Sequence, residues 1–286
     1  MLKTNPYVLP EGNVKIAFSG GRTSGYMLHE ILEANGDLPE RVKVCFMNTG
    51  REMPETLDFV QKVSERWKVY IHWLEYKNDD DGVGWNLVNH NSASRNGEPF
   101  ENLIAKKRRL PNVFERFCTE QLKVLTNRRY LTSLGWKKWH SAVGIRADES
   151  HRAKNRPDSK ETTYWPLINA EVVQSDITQF WGKQQLAFKL DLKITPGFGN
   201  CDGCFLKSEQ TLATLWRLHP DRANWWAEQE ARHFEGKDLS RQHLQMFKRR
   251  PASNYKELGN HVKNQGDWIF DQEDYFCQAD GGECTG

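Results

Sequence analysis

Hydrophobic positions near the start of the chain fall into short continuous runs separated by helically spaced sets. Val14-Lys15-Ile16-Ala17-Phe18, Val42-Lys43-Val44-Cys45-Phe46-Met47 and Val69-Tyr70-Ile71-His72-Trp73-Leu74 are rich in β-branched and aromatic residues and predict three strands. Between them, Gly25 to Leu32 has helical spacing and predicts a helix running to about Asn35-Gly36. Pro54 opens a second helix through about Trp67, with Glu52 and Glu55 near its positive end. This β-α-β-α-β order over residues 14–76 predicts an α/β fold, a parallel sheet with helices on both faces. Ligands of such sheets gather at the C-terminal strand ends. The loops 19–24 and 48–56 both fall there, side by side. Cys45, inside the second strand, reads as a buried core thiol.

From Lys77 to Pro111 the pattern dissolves into Asn78-Asp79-Asp80-Asp81-Gly82 and a polar stretch from Asn89 to Pro99, before a short helix ending in Lys106-Lys107-Arg108-Arg109. A connection this long reads as a surface insertion or, preferably, a substrate-facing lid. Thr119 to Leu134 returns to helical period, with Cys118 or Thr119 at its start and Gly135 at its end. Trp139 to Gly144 is a further strand and places Gly144-Ile145-Arg146 at another ligand-facing end. A helix from Ser175 or Asp176 to about Leu190 follows. Beyond Cys204 the chain reads as helices at Ser208–His219, Asp221–Phe234 and Ser240–Lys248, with Trp216, Trp225 and Trp226 docking them onto the core. The expected division is an α/β domain over 1–198, with its lid at 77–111, and a second part over 199–286 carrying a cysteine knuckle, a mainly helical appendage and a cysteine-bearing tail.

Composition adjusts this picture in two places. The 286 residues are 38% hydrophobic, and eleven Trp with fourteen Phe can fill a core; net charge is only +2, so there is no global pull on nucleic acid. Basic residues nevertheless cluster at 106–109, Arg128-Arg129, His151 to Arg156 and Lys248-Arg249-Arg250, each a solvated surface or a polyanion contact. The first residues lack an apolar leader segment and no membrane-spanning run appears, so a cytoplasmic protein is expected. Six cysteines there point to metal, cluster or catalytic roles rather than disulfides.

The chemistry-bearing stretch is Ser19-Gly20-Gly21-Arg22-Thr23-Ser24, between the first strand and its helix. Such a turn leaves backbone N–H groups unpaired at the positive helix end, its glycines let a phosphate come close, and its hydroxyls add donors. The alternative is a Gly-rich turn that merely joins two elements. It contains neither GxxxxGK[ST] nor GxGxxG. The second centre is Cys201-x-x-Cys204, flanked by Gly199 and Gly203, with Cys118, Cys277 and Cys284 as further thiolates. Such a set suits tetrahedral zinc or an iron–sulfur cluster, and spacing does not separate them. Glycines at 281, 282 and 286 make Cys284 the expected fourth ligand.

Ser-Gly-Gly-x-x-Ser after a first strand resembles the PP-loop of the ATP pyrophosphatase (adenine nucleotide α-hydrolase) superfamily. Asn48-Thr49-Gly50 with Pro54-Glu55-Thr56, Arg116-Phe117-Cys118-Thr119 with Leu122-Lys123, Gly144-Ile145-Arg146 with Glu149-Ser150 and Arg152, and Gly199-Asn200-Cys201-Asp202-Gly203-Cys204 narrow it to the phosphoadenosine-phosphosulfate (PAPS) reductase-like branch. The chain is most similar to the stand-alone members of phages and mobile elements. The resemblance implies an enzyme that binds ATP with Mg2+, adenylates a substrate with release of pyrophosphate and assists sulfur transfer, the acceptor being a nucleotide or nucleic acid. It implies nucleotide binding by Ser19, Gly20, Gly21, Arg22, Thr23, Ser24, Asn48, Thr49, Gly50, Gly144 and Arg146, and phosphate-stabilising cations at Arg22, Arg146 and Arg152. It favours a 4Fe–4S cluster over zinc on Cys118, Cys201, Cys204 and Cys284. Thr23 stands where many PP-loop enzymes carry a magnesium-holding Asp; Glu149 or an Asp of 79–81 would have to compensate. Two other activities stay open: PAPS or adenosine phosphosulfate reduction, although Glu283-Cys284-Thr285-Gly286 lacks the Gly and His of a Glu-Cys-Gly-x-His tail, and a non-catalytic nucleotide- or nucleic-acid-binding subunit. The chain would then act as a homodimer or within a larger complex.

Overall fold

The computed structural model describes residues 5–154, 158–188, 198–234 and 254–265. The chain runs through β1 (Val14–Ala17), α1 (Arg22–Asn35), β2 (Val42–Asn48), α2 (Pro54–Trp67), β3 (Ile71–Asp79), β4 (Gly82–Val88) and α3 (Glu98–Lys107). A π-helix (Thr119–Leu125) continues directly into α4 (Thr126–Ser133), followed by β5 (Trp139–Ala142), a 3-10 helix (Ala147–Arg152), β6 (Glu161–Tyr164), α5 (Pro166–Asn169) and α6 (Gln174–Phe188). The C-terminal helices are α7 (Glu209–Leu218), α8 (Pro220–Phe234) and α9 (Tyr255–Gln265). The expected helix at Ser240–Lys248 and the tail with Cys277 and Cys284 lie outside the described residues.

The strands form one sheet in the order β4-β3-β2-β1-β5-β6, parallel throughout except for β4. Alternation along β1 and β2 sends Val14, Ile16, Phe18, Val44 and Phe46 to one face, where Met27, Leu28 and Ile31 of α1, Phe59, Val60 and Val63 of α2 and Trp181 of α6 bury them. On the other face Cys45 and Leu74 pack with Tyr130 and Leu131 of α4, and Tyr76 with Phe100, Leu103 and Ile104 of α3. Burial pushes the Cys45 thiol up to about 12, as a core thiol requires.

The stretch after Lys77 is not structureless. β3 continues to Asp79 and turns into antiparallel β4, with Asp79 facing Gly82, and α3 buries Pro99, Phe100, Leu103 and Ile104. Gly82, Gly84 and Asn86 mask the alternation of Val83, Trp85 and Leu87 in the sequence, which is why the pattern looks lost. The 77–111 stretch is therefore an edge hairpin and a packed helix, not a free loop. β6 was also unforeseen: Glu161-Thr162-Thr163-Tyr164 is polar and stands at the sheet's edge. No helix among the described residues is long and apolar enough to cross a membrane.

Candidate nucleotide and cysteine site

β1 lies between β2 and β5, all parallel, so the loops leaving their C-terminal ends meet. The first is Ser19–Ser24. Gly20 takes φ +77°, and a Cβ there would lie 2.8 Å from Thr56 Cγ2, so the turn is pressed onto the start of α2. Ser24 is fully buried and closes the turn: its hydroxyl accepts from the Ser19 N–H at 3.1 Å, lies 2.9 Å from Ser19 Oγ and donates to the Gly21 carbonyl at 3.1 Å. Ser24 therefore shapes the turn rather than facing open space. Gly21, which has no side chain to cap with, is the N-cap of α1, and no acid stands in the helix's first turn. A helix start of this kind presents backbone donors and a positive end that suit an anion. Trp181 fixes the same turn from α6, its indole donating to the Arg22 carbonyl at 2.8 Å, while the Arg22 side chain is exposed.

The second loop, after β2, is held by buried carboxylates. Asn48 donates to Glu75 Oε1 at 2.5 Å, and Glu75 also accepts from the Ser94 N–H and hydroxyl. The Thr49 hydroxyl and backbone N–H both reach Glu52, whose carboxyl burial pushes above its ordinary range against the pull of Lys123. Gly50 takes φ +77°. Glu52 was expected to serve the positive end of α2, but it sits buried before the helix and organises Thr49.

The third loop leaves β5. Arg146 is buried, with Nη1 3.4 Å from Thr23 Oγ1, so the structure brings together the first and third loops. Glu149 lies between two cations, 2.6 Å from Arg146 and 2.8 Å from Arg152. The carboxylate expected to stand in for the missing magnesium-holding Asp is thus engaged by both arginines. Asp79 and Asp81 pair with Lys77 on the exposed β3–β4 turn, beyond the strand ends where the loops meet.

The cysteine knuckle is built onto the second loop. Glu52 and Cys201 form an isolated antiparallel bridge, the Asp202 N–H donates to the Arg51 carbonyl at 2.8 Å, and Thr49 Oγ1 lies 3.3 Å from Cys201 Sγ. Asp202, fully buried, receives Arg51 Nη2 at 2.7 Å and Arg222 Nε at 2.5 Å on one oxygen and the Trp226 indole at 2.8 Å on the other. A Cβ at Gly203 would collide with that indole, and the Tyr255 hydroxyl donates to the Gly203 carbonyl at 2.5 Å. Trp225 donates to Glu101 of α3 at 3.0 Å, so both tryptophans dock the helical appendage as expected. The ion network had no signal in spacing: Arg51, Asp202 and Arg222 read as surface charges until the chain folds.

Cys201 and Cys204 share the knuckle, with Cys204 buried, and Cys118, at the start of the π-helix, packs against the same apolar cluster as Cys201. Among the described residues no group of three or more His, Cys, Asp or Glu side chains is gathered around one metal position. Thiolates suit soft metals, and Cys284, the fourth cysteine of the expected set, lies outside the described residues.

Beside these loops a cleft of about 810 Å³ opens between the sheet and the π-helix, lined by Ser19, Ile145, Arg152, Thr119 and Asn200 at the strand ends. It continues over the sheet face along Ala17, Lys15 and Glu161. Lys15 and Glu161 pair at 2.7 Å; burial pushes the Glu161 carboxyl up, but Lys15 and the Ser141 hydroxyl outweigh it and hold it below its usual range.

Residues 13–171 match the family described as phosphoadenosine phosphosulfate reductase domain. The uncharacterized nin region protein ORF290 of Escherichia phage lambda is 31% identical over 204 residues, covering 69% of this chain and 67% of that protein. The crystal structure of a phosphoadenylyl-sulfate (PAPS) reductase from Candida auris, in a phosphate complex, is 16% identical with a TM-score of 0.41, covering 65% of this chain and 85% of that one. With more than half its length matched, and with the three strand-end loops in place, the chain belongs to the phosphoadenosine phosphosulfate reductase domain family.

Proposed function

We propose that this protein is a PP-loop enzyme that binds ATP, adenylates a substrate with release of pyrophosphate and assists transfer of sulfur to that substrate. The observation that carries the reading is the junction of the strand–glycine turn–helix start at Gly21 with a loop whose Thr49 touches Cys201. Nucleotide and sulfur chemistry would then share one wall. The N–H groups at the start of α1, with Ser19 and Thr23, would hold the triphosphate, and Arg146, beside Thr23, would offset charge building on the α-phosphate oxygens. A substrate oxygen attacks the α-phosphorus, the bond to the bridging oxygen breaks and pyrophosphate leaves with the electron pair. Sulfide then displaces AMP from the activated substrate. Asn48, Thr49, Gly50 and Gly144 would border the nucleoside. Cys118, Cys201, Cys204 and Cys284 are the residues that would hold a 4Fe–4S cluster, or zinc, which would supply a sulfur-binding centre. Magnesium would come with the nucleotide.

A second reading, reduction of PAPS or adenosine phosphosulfate, is favoured by the description of the matching family. One experiment separates the two. Protein purified anaerobically is assayed for iron, sulfide and zinc and titrated calorimetrically with ATP, PAPS and adenosine phosphosulfate. The adenylation reading expects iron with sulfide and tighter binding of ATP. PAPS binding at least tenfold tighter reverses the order of the two readings, and zinc in place of iron removes the cluster.

A further inference from the structure

The cleft does not end at the phosphate turn. Cationic side chains outnumber carboxylates along its walls, whereas the whole chain carries a net charge of only +2. The charges follow from topology. β6 runs parallel to β5 and so begins at the sheet edge opposite the 3-10 helix; Arg152 and Lys154 on one side of this span and Asp158 on the other line the cleft. The opposite wall is the π-helix and α4, with Arg116, Lys123 and Arg128 lining the cleft. At the far end Arg128 pairs with Asp158, joining the two walls. Lys15 and Ser19 mark the floor's length; four residues of extended chain separate them by about 13 Å.

Two of these cations are incompletely satisfied. The Nε–H groups of Arg116 and Arg128 are buried without a hydrogen-bond partner among the described residues, and such groups are ordinarily paired. Guanidinium forks match phosphate oxygens. The half-buried Trp165 also lines the cleft, and a cationic groove with an aromatic platform is the arrangement that holds single strands through backbone charge and base stacking.

We infer that the cleft beyond the phosphate turn is a track for single-stranded nucleic acid, with Arg128 and Lys154 on backbone phosphates and Trp165 stacked on a base. The inference deepens the proposed function by naming its acceptor class, and it rests on that reading for the nucleotide end alone. A phosphate at this position comes either from a strand or from the 3′-phosphate of the bound nucleotide.

Fluorescence anisotropy with a labelled eight-nucleotide deoxythymidine strand, over a range of salt concentrations, tests the track. It is run with calorimetric titration of ATP and PAPS into the full chain. The double variant Arg128→Gln/Lys154→Gln is expected to bind the strand at least tenfold more weakly. Its slope of log affinity against log salt should be shallower by about 1.4, two single-strand contacts at about 0.7 each. ATP affinity should stay unchanged. Trp165→Ala should weaken the strand while leaving the salt slope intact. Unchanged strand affinity and slope in a double variant that still binds ATP overturns the track. Selective loss of PAPS affinity with strand affinity retained overturns it in favour of the nucleotide's 3′-phosphate. Failure of the wild-type chain to bind any adenine nucleotide defeats the proposed function instead, and strand binding that depends on Arg128 and Lys154 would survive it.

Discussion

The Thr49 hydroxyl lies 3.3 Å from the sulfur of Cys201, joining two loops whose residues are 152 positions apart. The same hydroxyl lies 2.9 Å and 3.0 Å from the two oxygens of buried Glu52. One small side chain thus ties the strand-end loop, a buried acid and the knuckle. Thr49→Val keeps the shape and removes the hydroxyl, so Glu52 loses a donor in a site where burial already disfavours its charge. A loss of about 1–3 kcal/mol is expected in denaturant unfolding, with Thr49→Ser close to wild type. Equal losses in both variants would show that the hydroxyl does not hold Glu52.

The two glycines of the phosphate turn should separate folding from binding. Among the described residues a Cβ at Gly21 meets only Ser19 Oγ, at 3.4 Å, whereas one at Gly20 runs into Thr56, Phe46 and Val60. Gly21→Val should fold with a near-native melting temperature and lose ATP binding, because its side chain occupies the anion's approach. Gly20→Val should lose stability by several degrees in the same melt. A folded Gly21→Val with undiminished ATP affinity would remove the phosphate assignment.

Asp202 holds the knuckle against the core by balancing two guanidinium groups. Asp202→Asn preserves volume and leaves Arg51 and Arg222 facing each other without the carboxylate, a change expected to cost about 3–5 kcal/mol. Thermal unfolding followed by tryptophan fluorescence would register it, since Trp226 shares that carboxylate. A shift below one degree would mean that the network adds nothing to stability.

His72 makes stability depend on pH. Burial, with a smaller push from Lys43, lowers its imidazole to about 4, and the ring pairs with the Tyr130 hydroxyl at 2.6 Å. In the unfolded chain the same group titrates near 6.5. Between these values the unfolded state takes up a proton that the folded state refuses, so stability falls as pH drops through 6.5 toward 4. The loss from pH 7 to 4.5 should be on the order of 2 kcal/mol after allowance for partial exposure. Urea midpoints measured at both pH values should converge in His72→Gln; an unchanged difference would assign the pH dependence elsewhere.

Legibility followed locality. The strands around Ile16, Val44 and Ser141 and the helix opened by Pro54 were readable because continuous apolar runs and a first-turn proline are local signals. β4 was hidden by Gly82, Gly84 and Asn86, and β6 by its polar run of Glu161 to Tyr164. At the site, the glycine turn announced itself, as did the Cys201–Cys204 spacing. The work of Glu75, Glu52 and Asp202 did not, because each acts on partners that only the sheet register brings near. Ser24 had the opposite fate: its residue type suggested a ligand donor, and its complete burial makes it a clasp within the turn.

The order of strands also sets a schedule for folding. β1 meets β2 after one helical crossover, with Val14 beside Val42, but its other neighbour is β5, where Val14 reaches His140. As the chain emerges from the ribosome, the hairpin of β3 and β4 closes at once, because its contacts are local. The outer edge of β1 waits for more than a hundred residues. Until β5 arrives, the phosphate turn has no Arg146 beside it and the half-sheet carries an open, pairable rim. Slow translation across the segment between β4 and β5 would lengthen that exposure, so nascent chains of this protein should be most prone to mispairing just before Trp139 to Ala142 become available, and nucleotide affinity should arise only after they dock.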